Sequence, residues 1–421
     1  MARPVRISLV MYQVGFGDCF LLTFHYATMA RHVLIDMGTT GLPKTAPAGR
    51  LLQVAEDVRA RTGGHLDGLV VSHRHADHIS GFARGSGRTS GSVIASLRPS
   101  VVVQPWTEDP RARPNAKRPV SERTGRTAFT TRLDEMHRVA ELALAESRTL
   151  GAAEGKAFAQ RLAFLGETNL KNAPAVRSLM RLGRVRSYVS FGGRTGLESV
   201  LPGVKVHVLG PPTLEQSEEI RKQRRRDEDE FWHLLALTGL ATPRAWSAGA
   251  RSLAKADAPS TRWFRERLRA LRAESLLELV RILDKAMNNT SVILLFETGD
   301  QKLLFPGDAQ IENWQYALSK ERVRRLLADV TLYKVGHHGS LNATPKTLWE
   351  LFDKRSRTPR RGRLISVVST MGNKHGSSTR DTEVPRIPLV EALKERSEYH
   401  TSQTIRSRTT FWDEIELTVG G

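Results

Sequence analysis

The densest chemistry in the chain is the run His73-Arg74-His75-Ala76-Asp77-His78. Three imidazoles and a carboxylate at fixed spacing suit a borderline divalent cation such as Zn²⁺, with Mn²⁺ or Fe also open. Such a set rarely arises by chance, and a merely His-rich loop is the weaker reading. The run follows LDGLVVS, whose length and valine content read as a buried strand. A turn at the end of that strand can aim all four side chains at one point. Two further imidazoles stand in KVGHHGS (334–340), where Ser340 lacks the Gly-x-Ser-x-Gly flanks of a nucleophile elbow. The lone cysteine, Cys19, can build neither a thiolate cage nor an internal disulfide, and it points to a reducing compartment.

Strand-like segments frame these residues. Residues 5–12 and 19–26 read as a hairpin around VGFGD, and HVLIDMG as a third short strand. Residues 50–61 have helical spacing, and VVVQP (101–105) is another buried strand. Later strands are RVRSYVSF, VKVHVLGPP, SVILLFE, KLLFPGD, VTLYKV and LISVVS, with a helix at 345–353 and a mixed C-terminal segment. The expected class is α/β, in a layered α+β arrangement. Residues 1–106, 184–212 and 289–421 form one composite core, interrupted by helical insertions at 107–183 and 213–288. No run approaches 18 apolar residues, so no membrane-spanning segment is expected. Gln13, Gly15 and Asp18 break the apolar N-terminus, which reads as strand rather than signal peptide. A cytoplasmic location, in a bacterium, is the corresponding expectation.

The balance of charge bears on the partner. The 421 residues include 64 Lys+Arg against 44 Asp+Glu, a net charge of +20, while 40% hydrophobic residues leave ample material for a core. That surplus implies an anionic partner, nucleic acid first and an acidic membrane surface second. Excess arginine on a solvated surface is the bland alternative. Near the His-rich run, Arg74, Arg84 and Arg88 could meet phosphates, as could Lys374 and Arg380 beside His375. KRSRTPRRGR (354–363), six basic residues without an acid, falls at the opposite end of the strands. Aromatics are 6% and do not interleave with basic residues, so base stacking is not indicated and action without sequence preference is expected. RKQRRRDEDE (221–230) reads as a solvated helix face or, alternatively, as part of a lid. Arg224-Arg225-Arg226 would then be a cleavage site for a regulatory protease, or the insertion a contact for a regulatory protein.

These motifs together resemble the metallo-β-lactamase superfamily, whose signature is HxHxDH. More narrowly they resemble the hydrolase domain of ComEC-type competence proteins and its free-standing relatives. The resemblance rests on VGFGD (14–18), VLIDMG (33–38), SHRHADHISG (72–81), NNTSVILLFE (288–297), LLFPGD (303–308), KVGHHGS (334–340) and SVVSTMGNKHG (366–376), and leaves both insertions unmatched. It implies an αββα sandwich with two divalent ions, Zn²⁺ first, at one edge. His73 and His75 would bind the first ion, Asp77 and His78 the second, and Asp308 would bridge them. His337 or His338 would be a further ligand. Asp36 and Asp18 would support the ligands from behind. His375 would sit near the substrate phosphate and assist the leaving group, or Lys374 would hold that phosphate.

Many superfamily members have one more histidine ligand between HxHxDH and the bridging aspartate. His137, His207 and His233 are the candidates, and none has a diagnostic context. The implied chemistry is attack on a phosphodiester by hydroxide generated between two cations, without an enzyme nucleophile. Asp77 and Asp308 take part in it through the metals. A sequence-nonspecific nuclease, preferring DNA, is the resulting expectation, with DNA processing or anti-phage defence as its setting. The alternatives are a small-molecule metallohydrolase (a cyclic-nucleotide or phosphorylcholine phosphodiesterase, or a lactonase) and a catalytically weak DNA-binding module.

Overall fold

A computed structural model describes residues 2–111, 118–119, 173–213, 215–217, 287–340, 343–372, 374, 383–405 and 409–420. The chain divides into two units. One is Met1–Thr130 with Lys171–Ser217 and Met287–Gly421; the other is Thr131–Leu170 with Glu218–Ala286. The second lies wholly outside the described residues, and so do His137, His233, RKQRRRDEDE and most of both expected insertions.

The described unit is mixed α/β, as expected, with two sheets and several helices. The first sheet contains β1 (Arg6–Tyr12), β2 (Cys19–His25), β3 (Ala30–Met37), β4 (Gly68–Val70), β5 (Val101–Pro105), β6 (Val185–Val189) and β13 (Trp412–Thr418), in the order β13-β1-β2-β3-β4-β5-β6. The second contains β7 (Lys205–Gly210), β8 (Ile293–Thr298), β9 (Gln301–Phe305), β10 (Leu332–Lys334), β11 (Ile365–Val368) and β12 (Glu398–Thr401), in the order β12-β11-β10-β9-β8-β7. Each sheet starts antiparallel and continues parallel, from β3 onward in the first and from β9 onward in the second. Parallel strands must all end at the same edge. The carboxyl ends of such strands are where open α/β sheets bind ligands.

Alternation along the strands builds the core. In β1, Ile7, Leu9 and Met11 enter the cluster that both sheets share, while Tyr12 donates to Asp57 of α1 (Arg50–Arg61) at 2.8 Å. Phe20 meets Phe305, and Phe24 meets Phe296, at centroid separations of 6.1 and 6.0 Å across the two sheets. A short helix α2 (Ala76–Ile79), then α3 (Ser90–Ser96) and α4 (Ala173–Leu179), belong to the first half. The helices of the second half are α5 (Ile311–Leu318), α6 (Glu321–Ala328), α7 (Lys346–Leu351) and α8 (Ile387–Arg396). Their Trp314, Leu327, Leu348 and Leu393 pack with Ile293, Leu295, Leu304 and Tyr333, which project from the second sheet away from the shared core. Each such side chain, fully buried, contributes about 1.5–3 kcal/mol.

Two local features lie beyond what the sequence pattern showed. The Gly/Ser-rich segment after the His-rich run ends in a helix, because Thr89 and Ser92 cap α3 reciprocally. The mixed C-terminal segment supplies α8, β12 and β13, and β13 pairs with β1 from Arg6↔Thr418 to Tyr12↔Trp412. His400 on β12 reaches Asp413 on β13 at 2.8 Å and so links the edges of the two sheets. No helix among the described residues is long and apolar enough to cross a membrane.

Candidate metal centre

Strand ends converge here. β3 delivers Asp36, β4 leads to Ser72-His73, β9 to Asp308, β10 to His337-His338 and β11 to Ser369. α2 follows the His73–His75 turn and places Asp77 and His78 on its single turn. That turn abuts the end of β3, where a Cβ on Gly38 would lie 2.4 Å from the Ala76 carbonyl oxygen. Only glycine allows this approach.

Asp77, His78, Asp308 and His338, all buried, bring ligand atoms within 4.8 Å of one another. Donors sharing one ion at about 2.0–2.2 Å can lie at most roughly 4.4 Å apart, so this set is nearly at ligand spacing. His78 Nε2 is 3.1 Å from Asp308 Oδ2, and His338 Nε2 is 3.0 Å from Asp77 Oδ2 and 3.7 Å from Asp308 Oδ2. Asp77 Oδ1 is buried with no hydrogen-bond donor among the described residues. Such an atom is costly unless something positive reaches it. Imidazole and carboxylate without thiolate form a donor set for a borderline divalent cation, so the residues fit a metal ion.

Asp18, Asp36 and His78 are also mutually close, but those two carboxylates are already engaged. Asp36 accepts from Ser72 N–H (2.7 Å) and Ser72 Oγ (2.6 Å), and His78 Nδ1 lies 2.8 Å from it. Asp18 pairs with Lys334. Asp18 thus lies against Lys334, while Asp36 holds His78 in place from behind. Ser369 does the same for His338, whose Nδ1 lies 3.0 Å from the Ser369 carbonyl oxygen.

His73 and His75 lie beside this group. His73 Nε2 and His75 Nδ1 are 3.0 Å apart, and the His73 ring packs on His78 at 4.2 Å. Burial pushes both imidazoles down, His75 to about 4, so both are neutral at physiological pH, the form a metal ligand needs. His337, half-buried with Nε2 3.9 Å from Asp308 Oδ2, is also lowered by burial. His78 and His338 behave oppositely. Burial disfavours their charge, but Asp308 together with Asp36 for His78, and Asp308 together with the Asp77 hydrogen bond for His338, outweigh it and raise both. The carboxyls of Asp77 and Asp308 are held below the ordinary range despite burial, chiefly by His338 and His78 respectively.

The backbone is strained at the same place. Asp36, His337 and His338 have φ of 54°, 43° and 52°, the left-handed region that costs non-glycine residues about 1–2 kcal/mol each. Outliers of this kind cluster where side chains are held for function.

Lys334 escaped the sequence reading. It is fully buried at the end of β10, pairs with Asp18, donates to the Gly307 carbonyl at 3.2 Å and lies 3.7 Å from Asp308 Oδ1. Burial opposes its charge, but Asp18 and Asp308 outweigh it and raise its pKa. A lysine in the otherwise apolar run VTLYKV was the available signal. Phe16, from VGFGD, was also missed as a wall of the site, its ring 4.3 Å from that of His338.

The remaining residues fall as follows. Arg74 is mostly buried, 3.7 Å from Glu108 and 3.3 Å from Met287 Sδ. Arg84 and Arg88 are both exposed, and Arg88 pairs with Glu56. Lys374 lies against Gly41, where a Cβ would come within 2.9 Å of its ammonium. His207 is half-buried in β7, bonded to Glu297 at 2.7 Å. His375 and Arg380 lie outside the described residues.

No family model and no curated protein matches this chain.

Proposed function

We propose that the protein is a metal-dependent phosphodiesterase acting as a sequence-nonspecific nuclease, with DNA as its preferred substrate. The observation that carries this reading is the convergence of Asp77, His78, Asp308 and His338 within 4.8 Å from two distant parts of the chain. In this reading the two sheets and their helices are an αββα metallo-β-lactamase sandwich of the ComEC type, and the centre takes two divalent ions, Zn²⁺ first. His73 and His75 would hold one ion, Asp77, His78 and His338 the other, with Asp308 between them. When bound, such ions supply Lewis acidity toward water and toward a phosphodiester oxygen.

The chain's own residues do the rest. Asp36 and Ser369 fix the orientations of His78 and His338. Lys334 pairs with Asp18 and lies beside Asp308, and so holds both carboxylates in place. Lys374, against Gly41, would bind a phosphate oxygen. The +20 charge favours a polyanion over a small neutral substrate.

The test is incubation of the full chain with Mn²⁺ or Zn²⁺ and linear DNA, circular DNA, RNA and bis(p-nitrophenyl) phosphate. DNA cleavage that disappears in Asp308→Ala supports the assignment, and cleavage retained in that variant sinks it. Hydrolysis of the chromogenic diester alone would favour the small-substrate reading. Salt-sensitive DNA binding without cleavage would favour a binding module.

A further inference from the structure

At the edge of the first sheet opposite the candidate metal centre, an open cleft of about 500 Å³ is lined by His65, Arg98, Ser100, Arg181 and Arg184. It sits where β4, β5 and β6 begin, whereas the metal-facing residues sit where the parallel strands end. At about 3.3 Å per residue, β5 alone puts roughly 15 Å between the two ends.

Three features set this cleft apart. First, Arg98, Arg181 and Arg184 are exposed and make no ion pair and no side-chain hydrogen bond among the described residues. Several other arginines of the same unit are matched, Arg31 with Asp67, Arg59 and Arg88 with Glu56, and Arg61 with Asp57, whereas here three unmatched ones line a single cleft. Asp67, close to His65, is itself buried and engaged by Arg31 and by the His32 N–H. Second, the cleft has a rigid frame. Leu66 N–H donates to Leu97 O, Ser100 N–H to Leu66 O, Arg184 N–H to Pro99 O and Val185 N–H to Ser100 O, at 2.9–3.2 Å. Third, Arg98 has φ 48°; it is the one left-handed non-glycine residue among the described ones that lies away from the metal centre. Arg98 follows α3 at its C-terminal cap, where its N–H donates to the Ala95 carbonyl at 3.3 Å, so the helix end fixes where this exposed side chain leaves the cleft wall.

We infer that this cleft binds the phosphodiester backbone of a nucleic acid, as a site separate from the metal centre. The inference rests on the proposed polyanionic substrate and gives it a path: one phosphate cannot occupy both places, but a polymer can. Guanidinium groups match phosphate oxygens bidentately and carry no sequence information. A cleft of this size is ample for a sugar-phosphate unit.

The experiment compares the full chain with its Arg98→Gln, Arg181→Gln, Arg184→Gln triple variant. Both are loaded with Mn²⁺ and presented with a cleavage-resistant phosphorothioate duplex and, separately, with bis(p-nitrophenyl) phosphate. For three lost phosphate contacts, the slope of log affinity against log salt should become shallower by up to about 2.7, with at least roughly a tenfold loss of affinity. Diester turnover and the unfolding midpoint should be unchanged. An unchanged affinity and slope in the folded variant overturns the inference while leaving the nuclease reading intact. A wild-type chain that binds DNA through these arginines yet cleaves none overturns the nuclease reading and leaves the inference standing. A wild-type chain that binds no DNA overturns both.

Discussion

The two ends of the sheets handle charge in opposite ways. Where the parallel strands finish, Asp18, Asp36, Asp77, His78, Asp308, Lys334 and His338 are buried, and each acid faces an imidazole, an ammonium or an N–H donor. Where β4, β5 and β6 start, Arg98, Arg181 and Arg184 are exposed and unmatched among the described residues. In the interior an uncompensated charge is so unfavourable that the groups must neutralise one another, by proton or by cation. At the surface water screens each guanidinium, so an unmatched positive charge is tolerated and stays available. Under the proposed function, tight, short-range chemistry belongs to the first end, and weak, additive, salt-sensitive attraction to the second.

That contrast can be broken by substitution. The largest effect is expected for Asp308→Ala or Asp77→Ala. Hydrolysis of any diester should fall by on the order of 10³-fold, because several kcal/mol of transition-state charge stabilisation leaves with the metals. Metal content by elemental analysis should fall in parallel. Lys334→Met comes next: it strands Asp18 and Asp308, and denaturant unfolding of chelator-treated protein should register a loss of about 3–5 kcal/mol. If stability is unchanged, the pairing of charges described for the buried end is wrong.

Asp36→Asn should keep the fold but weaken metal affinity by about 10–100-fold in a competitive chelator titration, since it only orients His78 and Ser72. At the exposed end of the scale, Arg88→Ala removes an ion pair with Glu56 and should change stability by less than about 1 kcal/mol. A loss as large as that of Lys334→Met would erase the distinction between buried and surface pairs.

The smallest effect concerns the link between the sheet edges. The Asp413 hydrogen bond holds His400 above the ordinary imidazole value, and His400 in turn lowers Asp413. The contribution of His400 is full below its unfolded pKa of about 6.5 and disappears as the pH rises through the higher folded value. That of Asp413 fades at the acid side, as the pH falls through its depressed folded value. His400→Ala should therefore lower the unfolding temperature more at about pH 6 than at about pH 9, by less than roughly 1 kcal/mol equivalent.

Much of this was legible in the sequence, for a physical reason. Period-two patterns and apolar runs record burial directly, so β1, β2, β5, α1 and the strands leading to Asp308 and His338 stand close to where the pattern puts them. β13 was missed although Trp412–Thr418 alternates acidic and apolar residues, because the run is short, buries only Ile415 and Leu417, and gains its meaning by pairing with β1. α3 was hidden by a glycine- and serine-rich composition that a capping box overrides. Lys334 was visible as an anomaly without an explanation, since its partners Asp18 and Asp308 are remote in sequence.

The sequence alone determined the kind of chemistry on offer: imidazoles and carboxylates at ligand spacing, one cysteine, and a large positive surplus. Those are properties of residue types and of neighbours along the chain. Which ligands meet was decided by the tertiary structure, because His78 and Asp308, or Asp77 and His338, come together only when parallel strands from both sheets end at one edge. The same folding decided which positive charges are consumed. Arg74 and Arg88 are drawn to Glu108 and Glu56, while Arg98, Arg181 and Arg184 are left facing solvent. Charge can be counted along a chain, but whether it is cancelled depends on which residues the fold brings within a few ångströms.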